Sequence, residues 1–220
     1  MSVVLEALEL HPIRIPMRHR FRRVDHREAV LIKGPAGWGE FSPFPDYPPH
    51  VTTRWLAAAL EAACSILPEP GRATIPVNVT VPAVTPDVAA RLVLESGAGT
   101  AKVKVGEPGQ TMEEDEARLA AVRAAIGPEG KIRIDVNAGW DLETAARRIG
   151  SYARFDLEYV EQPVKTLEEM VQLKQMTDVP LAADELVRLR PDPLEVASMG
   201  AADILVVKVQ PLGGVARTLD

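Results

Sequence analysis

From Ile75 onwards, short apolar runs rich in β-branched residues alternate with amphipathic segments of helical period. The six runs are IPVNVTV (75–81), AKVKV (101–105), IRIDV (132–136), LEYVE (157–161), PLAAD (180–184) and ILVVKV (204–209). Each run has the length and composition of a buried strand. This alternation is typical of parallel βαβ units, so it predicts an α/β fold around a parallel sheet.

The amphipathic segments carry clear helix boundaries. Thr111 with Glu114, and Thr166 with Glu169, have the spacing of capping boxes, and Gly127-Pro128 is a stop signal. Repeated units of this kind favour closure into a (β/α) barrel, and an open doubly wound sheet is the alternative. The barrel is preferred because no glycine-rich dinucleotide fingerprint follows the first run.

The beginning of the chain has a different pattern. Residues 3–15 and 28–40 alternate like strands around the turn Gly34-Pro35-Ala36-Gly37, and residues 52–67 have apolar side chains at helical spacing. We predict an antiparallel meander followed by a helix.

The change of pattern predicts two domains, a small α+β domain over residues 1–74 and a barrel domain over residues 75–220. A complete barrel takes about 250 residues. The barrel domain is therefore expected to be incomplete at its C-terminal end.

Charged residues stand at the ends of five successive runs. They are Lys104, Asp135, Glu161, Asp184 and Lys208, and the gaps between them are 31, 26, 23 and 24 residues. Each gap is about one βα unit, which places all five on the C-terminal rim of a parallel barrel. The three carboxylates would repel one another without a cation, and oxygen ligands suit Mg²⁺. They are the predicted metal ligands; a helix cap or a solvated strand end is the alternative for each.

Three lysines are candidates for the chemistry. Lys102 and Lys104 are two residues apart on a strand and so share a face. Adjacent ammonium groups are expected to lower the pKa of one of them, which makes Lys104 the candidate base and Lys102 its electrostatic partner. Lys208 interrupts an apolar run and needs a carboxylate or substrate partner, unless it reaches solvent at the strand end.

Composition and charge limit the classes of partner that the chain is expected to bind. The net charge of −6, without a long basic run, gives no reason to expect nucleic acid or an anionic membrane. The chain has no apolar stretch of about 20 residues and no signal-peptide pattern at its start, so a cytoplasmic location is expected. The single Cys64 excludes an intramolecular disulfide and a thiolate cluster. A small molecule is the expected partner; monomer and homo-oligomer both stay open.

Five segments together resemble the enolase superfamily, in its muconate-lactonizing-enzyme-like subgroup. They are KVKVG (102–106), RIDVNAGW (133–140), EYVEQP (158–163), AADE (182–185) and VKVQPLGG (207–214). The resemblance implies a TIM-like (β/α)7β barrel with an α+β capping domain. It also implies Mg²⁺, or Mn²⁺ as a substitute, on Asp135, Glu161 and Asp184. Further implied roles are acid/base chemistry for Lys104, a second active-site lysine at Lys208, and ligand orientation by Asn137 and Glu185.

Within that subgroup the sequence, including GWGEFSPFPDY (37–47), looks most like the o-succinylbenzoate synthase family. This resemblance implies a hydro-lyase of menaquinone biosynthesis that dehydrates 2-succinyl-6-hydroxy-2,4-cyclohexadiene-1-carboxylate. Lys104 would remove the proton α to the carboxylate, and Mg²⁺ would stabilise the resulting enediolate. An N-succinylamino acid racemase or dipeptide epimerase on the same site is one alternative. A catalytically silent product is the other.

The resemblance also implies that the loop after the first strand folds over the barrel mouth and selects the substrate. That loop is expected at PMRHRFRRVDH (16–26), where Arg20 and Arg22 would bind a second substrate carboxylate. A solvated loop without contact to substrate is the alternative.

Overall fold

The computed structural model describes residues 8–21 and 24–220, with side chains described outside residues 18–21. Contacts divide the described residues into two compact units. One unit lies within Met1–Gly71 together with Val207–Asp220, and the other is Arg72–Val206. This grouping follows contacts alone, and the division into domains 1–74 and 75–220 stays a prediction.

The first unit contains the predicted antiparallel meander. Its strands β1 (Glu9–Phe21), β2 (Val24–Lys33) and β3 (Trp38–Phe41) pair in the order β1-β2-β3. Helix α1 (Pro49–Cys64) begins and ends three residues earlier than predicted, with Pro49 in its first turn. Small residues let this helix lie close to the sheet, since a Cβ on Gly39 would collide with the backbone of Ala59.

The loop predicted over residues 16–26 is wrong for the described residues. Strand β1 continues to Phe21 and β2 resumes at Val24, and these two residues pair across the hairpin. The loop was expected from the resemblance, whereas the described residues continue as the two strands of a hairpin that carries charges on its exposed faces. For example, Arg14 donates to the ring of His26 at 3.1 Å across the two strands.

The C-terminal segment belongs to the first unit through helices α8 (Val209–Leu212) and α9 (Val215–Leu219). Glu61 of α1 accepts the backbone N–H groups of Val215 and, at 3.0 Å, Ala216. A carboxylate at this position satisfies donors that a helix start leaves without partners.

The second unit is a six-stranded parallel sheet in the order β4-β5-β6-β7-β8-β9. The strands are β4 (Val79–Val81), β5 (Thr100–Lys104), β6 (Lys131–Asp135), β7 (Leu157–Glu161), β8 (Leu181–Ala183) and β9 (Ile204–Leu205). The helices are α2 (Pro86–Ser96), α3 (Met112–Ile126), α4 (Leu142–Tyr152), α5 (Leu167–Lys174), α6 (Glu185–Arg188) and α7 (Glu195–Ser198), with a 3-10 turn at Ala153–Phe155. Spatial order follows chain order throughout, whereas a doubly wound sheet reverses its order at a switch point. The topology therefore favours the barrel.

Both predicted capping boxes are present, at Thr111 for α3 and Thr166 for α5. Gly127 ends α3 with φ +78°, as its stop signal predicted. No described helix combines the length and apolar composition that crossing a membrane requires.

Two predicted strands are shorter than their apolar runs. Of residues 75–81 only Val79–Val81 is a strand, and Ile75 and Val77 are 74% and 77% exposed. Pro76 between them has no N–H for a ladder. Of residues 204–209 only Ile204–Leu205 pairs, and a helix begins at Val209. Apolar composition predicted both strands too long, because it does not indicate where hydrogen-bonded pairing between strands ends.

Alternation along the strands divides the side chains between two faces. Ala101, Val103, Ile132, Ile134 and Val160 are fully buried. The intervening residues carry polar and charged groups, and these form the opposite face.

Candidate active site

The strand register brings the predicted residues together. Lys104 pairs with Asp135, and Asp135 pairs with Glu161, on three adjacent parallel strands. The Nζ atom of Lys104 lies 2.6 Å from Oδ2 of Asp135. The Nζ atom of Lys102 lies 3.1 Å from the same oxygen and 3.2 Å from each carboxylate oxygen of Glu161. These four side chains therefore form one charged cluster at the C-terminal ends of the strands.

Burial makes the charges in this cluster interact strongly. Asp135, Glu161 and Asp184 are 2%, 1% and 1% exposed. Burial, and then the negative charges of Asp135 and Asp184, raise the pKa of Glu161 above its usual range, although Lys102 opposes the shift. Burial would also raise the pKa of Asp135, but Lys104 and Lys102 outweigh it and the net shift is downward. Three buried carboxylates this close together therefore depend on positively charged groups beside them.

The carboxylates around Lys102 hold it in its charged form. Burial tends to lower its pKa, but attraction to Asp135 and Glu161 is stronger, and the pKa is raised. Sequence spacing predicted Lys102 as the electrostatic partner of Lys104 and did not indicate these contacts with two carboxylates on the next strands. Lys102 is accordingly a fixed positive charge.

Asp184 lies at the start of α6, one residue before Glu185. Arg188 Nε donates to Oδ1 of Asp184 at 3.1 Å, and Arg188 Nη2 donates to Oε1 of Glu185 at 2.7 Å. Asn137 Nδ2 also donates to Glu185, at 3.3 Å, while its Oδ1 accepts from Lys104. Asn137 thus connects Lys104 to Glu185, in keeping with an orienting role.

The donor set has the chemistry of a site for a hard cation. It consists of carboxylate oxygens on adjacent strand ends, and Oε2 of Glu185 is buried without a hydrogen-bond partner among the described residues. As placed, the acidic, histidine and cysteine side chains of the described residues form no group of three or more that could hold a metal ion. Lys102, Lys104 and Arg188 instead supply the positive charge for Asp135, Glu161 and Asp184.

Gln162 is a site residue that the sequence analysis missed. It is fully buried, and its Oε1 accepts the N–H groups of Asp184 at 3.0 Å and Leu186 at 3.1 Å. Its Nε2 donates to the carbonyl of Val164 at 2.8 Å. The only signal in the sequence was its place between Glu161 and a proline. Gln162 holds the backbone from which Asp184 projects.

The described residues leave three predicted site residues untested. Lys208 is exposed, precedes helix α8 and belongs to the first unit. Arg20 lies in β1 with its side chain outside the described part, and Arg22 lies outside the described residues. Their roles stay predictions.

Comparison with known families identifies both regions of the chain. Residues 85–220 match the family described as enolase C-terminal domain-like. Residues 13–63 match the family described as enolase N-terminal domain-like.

Curated relatives are similar over nearly the whole chain. An o-succinylbenzoate synthase from Thermobifida fusca is 55% identical over 205 residues, which cover 93% of this chain and 65% of the relative. A protein of the same name from Mycolicibacterium smegmatis is 49% identical over 216 residues, covering 96% and 65%. The one from Mycobacterium bovis is 46% identical over 220 residues, covering 98% and 67%. The chain thus spans about two thirds of the length of these relatives.

Solved structures with a similar fold include two epimerases. A dipeptide epimerase from Enterococcus faecalis superposes with a TM-score of 0.78 at 23% identity, covering 97% of this chain and 76% of that one. The L-Ala-D/L-Glu epimerase from Bacillus subtilis gives 0.75 at 24%, covering 96% and 76%. These likenesses concern the fold, and they confirm the barrel over the open sheet. Together with the matches to both domain families, they show that the chain belongs to the enolase superfamily.

Proposed function

We propose that the protein is an o-succinylbenzoate synthase, a hydro-lyase acting on 2-succinyl-6-hydroxy-2,4-cyclohexadiene-1-carboxylate. The observation that carries the proposal is the 2.6 Å contact between Lys104 and Asp135 beside two more buried carboxylates. This arrangement places the candidate base beside three buried carboxylates, whose oxygens are ligands that suit a hard cation. Relatives of that name at 46 to 55% identity support the choice of reaction.

Lys104 is proposed to carry out both proton transfers. Its neutral amine takes the proton from the ring carbon that bears the carboxylate. As the ring becomes aromatic, the carbon–oxygen bond to the hydroxyl group breaks. The same ammonium returns its proton to the departing oxygen, so that water leaves and the lysine is again neutral.

Asp135, Glu161 and Asp184 are proposed to hold Mg²⁺, with Mn²⁺ as a substitute. When bound, the cation supplies positive charge for the substrate carboxylate as negative charge develops on it. Asn137 and Glu185 would orient the ligands through their mutual hydrogen bond and that of Glu185 with Arg188. Lys102 stays charged and offsets Asp135 and Glu161.

Lys208 is proposed to face the substrate anion as a second cation. Arg20 and Arg22 are proposed to bind the succinyl carboxylate. A small-molecule carboxylate is the proposed partner, and a cytoplasmic location is proposed with it; cell fractionation would test the location.

The test is a dehydration assay on the protein expressed from its complete reading frame. We expect turnover that EDTA abolishes, that Mg²⁺ restores, and that Lys104→Ala lacks. Lys131→Ala is the matched control, because Lys131 lies on β6 and pairs with Glu158 at 2.8 Å. Absence of turnover by folded protein would reject the synthase. Incorporation of deuterium from D₂O at the α-carbon of N-succinylamino acids or dipeptides would then support the racemase or epimerase.

A further inference from the structure

A buried ion pair lies on helix α3, and neither of its residues belongs to the charged cluster of the candidate active site. Arg118 and Asp115 are 1% and 0% exposed, and Nη1 of Arg118 lies 2.8 Å from Oδ1 of Asp115. Burying two charges is costly unless their remaining hydrogen-bonding atoms also find partners. The partners that these two residues use are therefore informative.

The pair binds the backbone on both sides of Val105, where β5 ends. Nη1 of Arg118 donates to the carbonyl of Lys104 at 3.0 Å. Oδ2 of Asp115 accepts the N–H of Gly106 at 2.9 Å. Arg118 thus binds the backbone carbonyl of the candidate base Lys104, and Asp115 binds the backbone N–H of Gly106, two positions later.

Sheet pairing ends at this point of the chain. The strand pairing of β5 with β6 ends at Lys104 and Asp135, and the N–H of Val105 makes one further bond, to the carbonyl of Asp135 at 3.2 Å. Gly106 then turns the chain away with φ +71°. Asp135 and Asn137 hold the amine of Lys104, and a displaced backbone would move the amine away from both.

Further bonds hold the pair itself in place. Nε of Arg118 donates to the carbonyl of Val84 at 2.9 Å, and its Nη2 donates to Gln110. Asp115 also accepts from Arg148 at 3.3 Å and from the hydroxyl of Tyr152 at 3.4 Å. Each charge thus has several partners on different elements, which gives the pair a single defined geometry.

We propose that Asp115 and Arg118 are positioning residues for Lys104: they hold the end of β5 so that its amine lies at the reacting carbon. The inference rests on the proposed function for the reaction that Lys104 performs. A pair that only attached α3 to the sheet would affect folding stability and leave the chemistry of Lys104 unchanged.

Arg123 on the same helix offers a matched control. It donates to the carbonyls of Gly127 at 2.8 Å, Gly130 at 2.6 Å and Phe155 at 2.9 Å. These carbonyls precede β6 and β7, at the opposite end of the strands from Lys104. Arg123 therefore has the same residue type and the same kind of backbone contact, without a connection to the site.

The experiment compares Arg118→Lys with Arg123→Lys in the dehydration assay and in thermal unfolding. Both variants are expected to unfold at a lower temperature. Only Arg118→Lys is expected to lower kcat, by about 10- to 100-fold, with KM changed by less than about threefold. An equal loss of kcat in both, or none in Arg118→Lys, would overturn the proposal. Asp115→Asn, which keeps the side-chain shape, replaces Arg118→Lys if the latter does not fold.

A second readout does not depend on activity. Acylation of surface amines, followed by peptide mass spectrometry, measures how accessible Lys104 is. Faster labelling of Lys104 in Arg118→Lys but not in Arg123→Lys supports positioning; unchanged labelling in both contradicts it. If the wild-type protein does not dehydrate the substrate, the proposed function fails, and the labelling result alone decides the positioning role.

Discussion

The amine of Lys104 and Oδ2 of Asp135 lie 2.6 Å apart on adjacent strands, so the candidate base and a candidate metal ligand share one hydrogen bond. Lys102 reaches the same oxygen at 3.1 Å. The two lysines are nevertheless not equivalent, because only Lys102 also pairs with Glu161. Their expected roles, base and fixed charge, can be separated by changing the chemistry of each amine while keeping its charge.

Arginine at either position should give opposite results. A guanidinium stays protonated at neutral pH and cannot act as a base. Lys104→Arg is therefore expected to lower kcat by about 10²- to 10⁴-fold. Lys102→Arg keeps the charge beside Asp135 and Glu161, and we expect kcat within about tenfold of the wild type. Steady-state dehydration kinetics measure both; similar losses in the two variants would contradict the division of roles.

Binding of Mg²⁺ should stabilise the fold through Glu161. At a concentration about 100 times its Kd, the ion is expected to raise the free energy of unfolding by about 2.7 kcal/mol. Glu161→Gln should lose most of this gain, since it removes one of the three carboxylates. Urea unfolding with and without Mg²⁺ measures the difference.

Glu158→Gln is the control for that measurement. Glu158 lies on the same strand but pairs with Arg133 at 2.5 Å and Lys131 at 2.8 Å. Its variant should keep the full stabilisation by Mg²⁺. Equal stabilisation of the Glu161 and Glu158 variants would place the ion elsewhere.

Much of the site could be predicted because strand register is visible in the sequence. The charged residues follow their apolar runs at intervals of one βα unit, and parallel pairing then aligns Lys104, Asp135 and Glu161. The capping boxes could also be predicted from the sequence, because each depends on two residues only three positions apart. Local spacing and strand periodicity therefore account for what was predicted correctly.

The missed features depend on contacts between distant parts of the chain. Gln162 bonds to residues 22 and 24 positions later, and Arg118 bonds to Lys104 from a following helix. The two carboxylate partners of Lys102, which raise its pKa, were not anticipated for the same reason, since they are on other strands. The loop expected over residues 16–26 was wrong for the described residues because the resemblance does not show how far the first two strands extend.

Gln162→Leu should weaken metal binding and stability together. The change leaves two buried N–H groups, of Asp184 and Leu186, without their acceptor. Each unsatisfied group costs about 1–3 kcal/mol. Because Asp184 is then less firmly oriented, we expect the Kd for Mn²⁺ to rise by about 10- to 100-fold. Calorimetric titration measures the Kd, and Gln172→Leu on the exposed face of α5 should leave it unchanged. An unaltered Kd in Gln162→Leu would mean that the ion does not depend on Asp184.

Acid should destabilise the second unit in part through Asp203. Burial tends to raise the pKa of this carboxyl, but the Lys174 ammonium and the Leu181 N–H, at 3.0 Å, outweigh it and the pKa is lowered. The pKa of this carboxyl is therefore lower in the folded chain than in the unfolded chain. The resulting stability is complete above the unfolded value of about 3.9 and is lost as the pH falls through the folded value.

Asp203→Asn should therefore reduce the loss of stability below about pH 4. Lys174→Met should do the same, because it removes the ammonium that lowers the pKa. Urea unfolding across this range measures both. If both variants lose stability in acid as the wild type does, the Asp203 carboxyl has the same pKa in the folded and unfolded chains. The pairing of β8 with β9 would then not depend on the charge of Asp203.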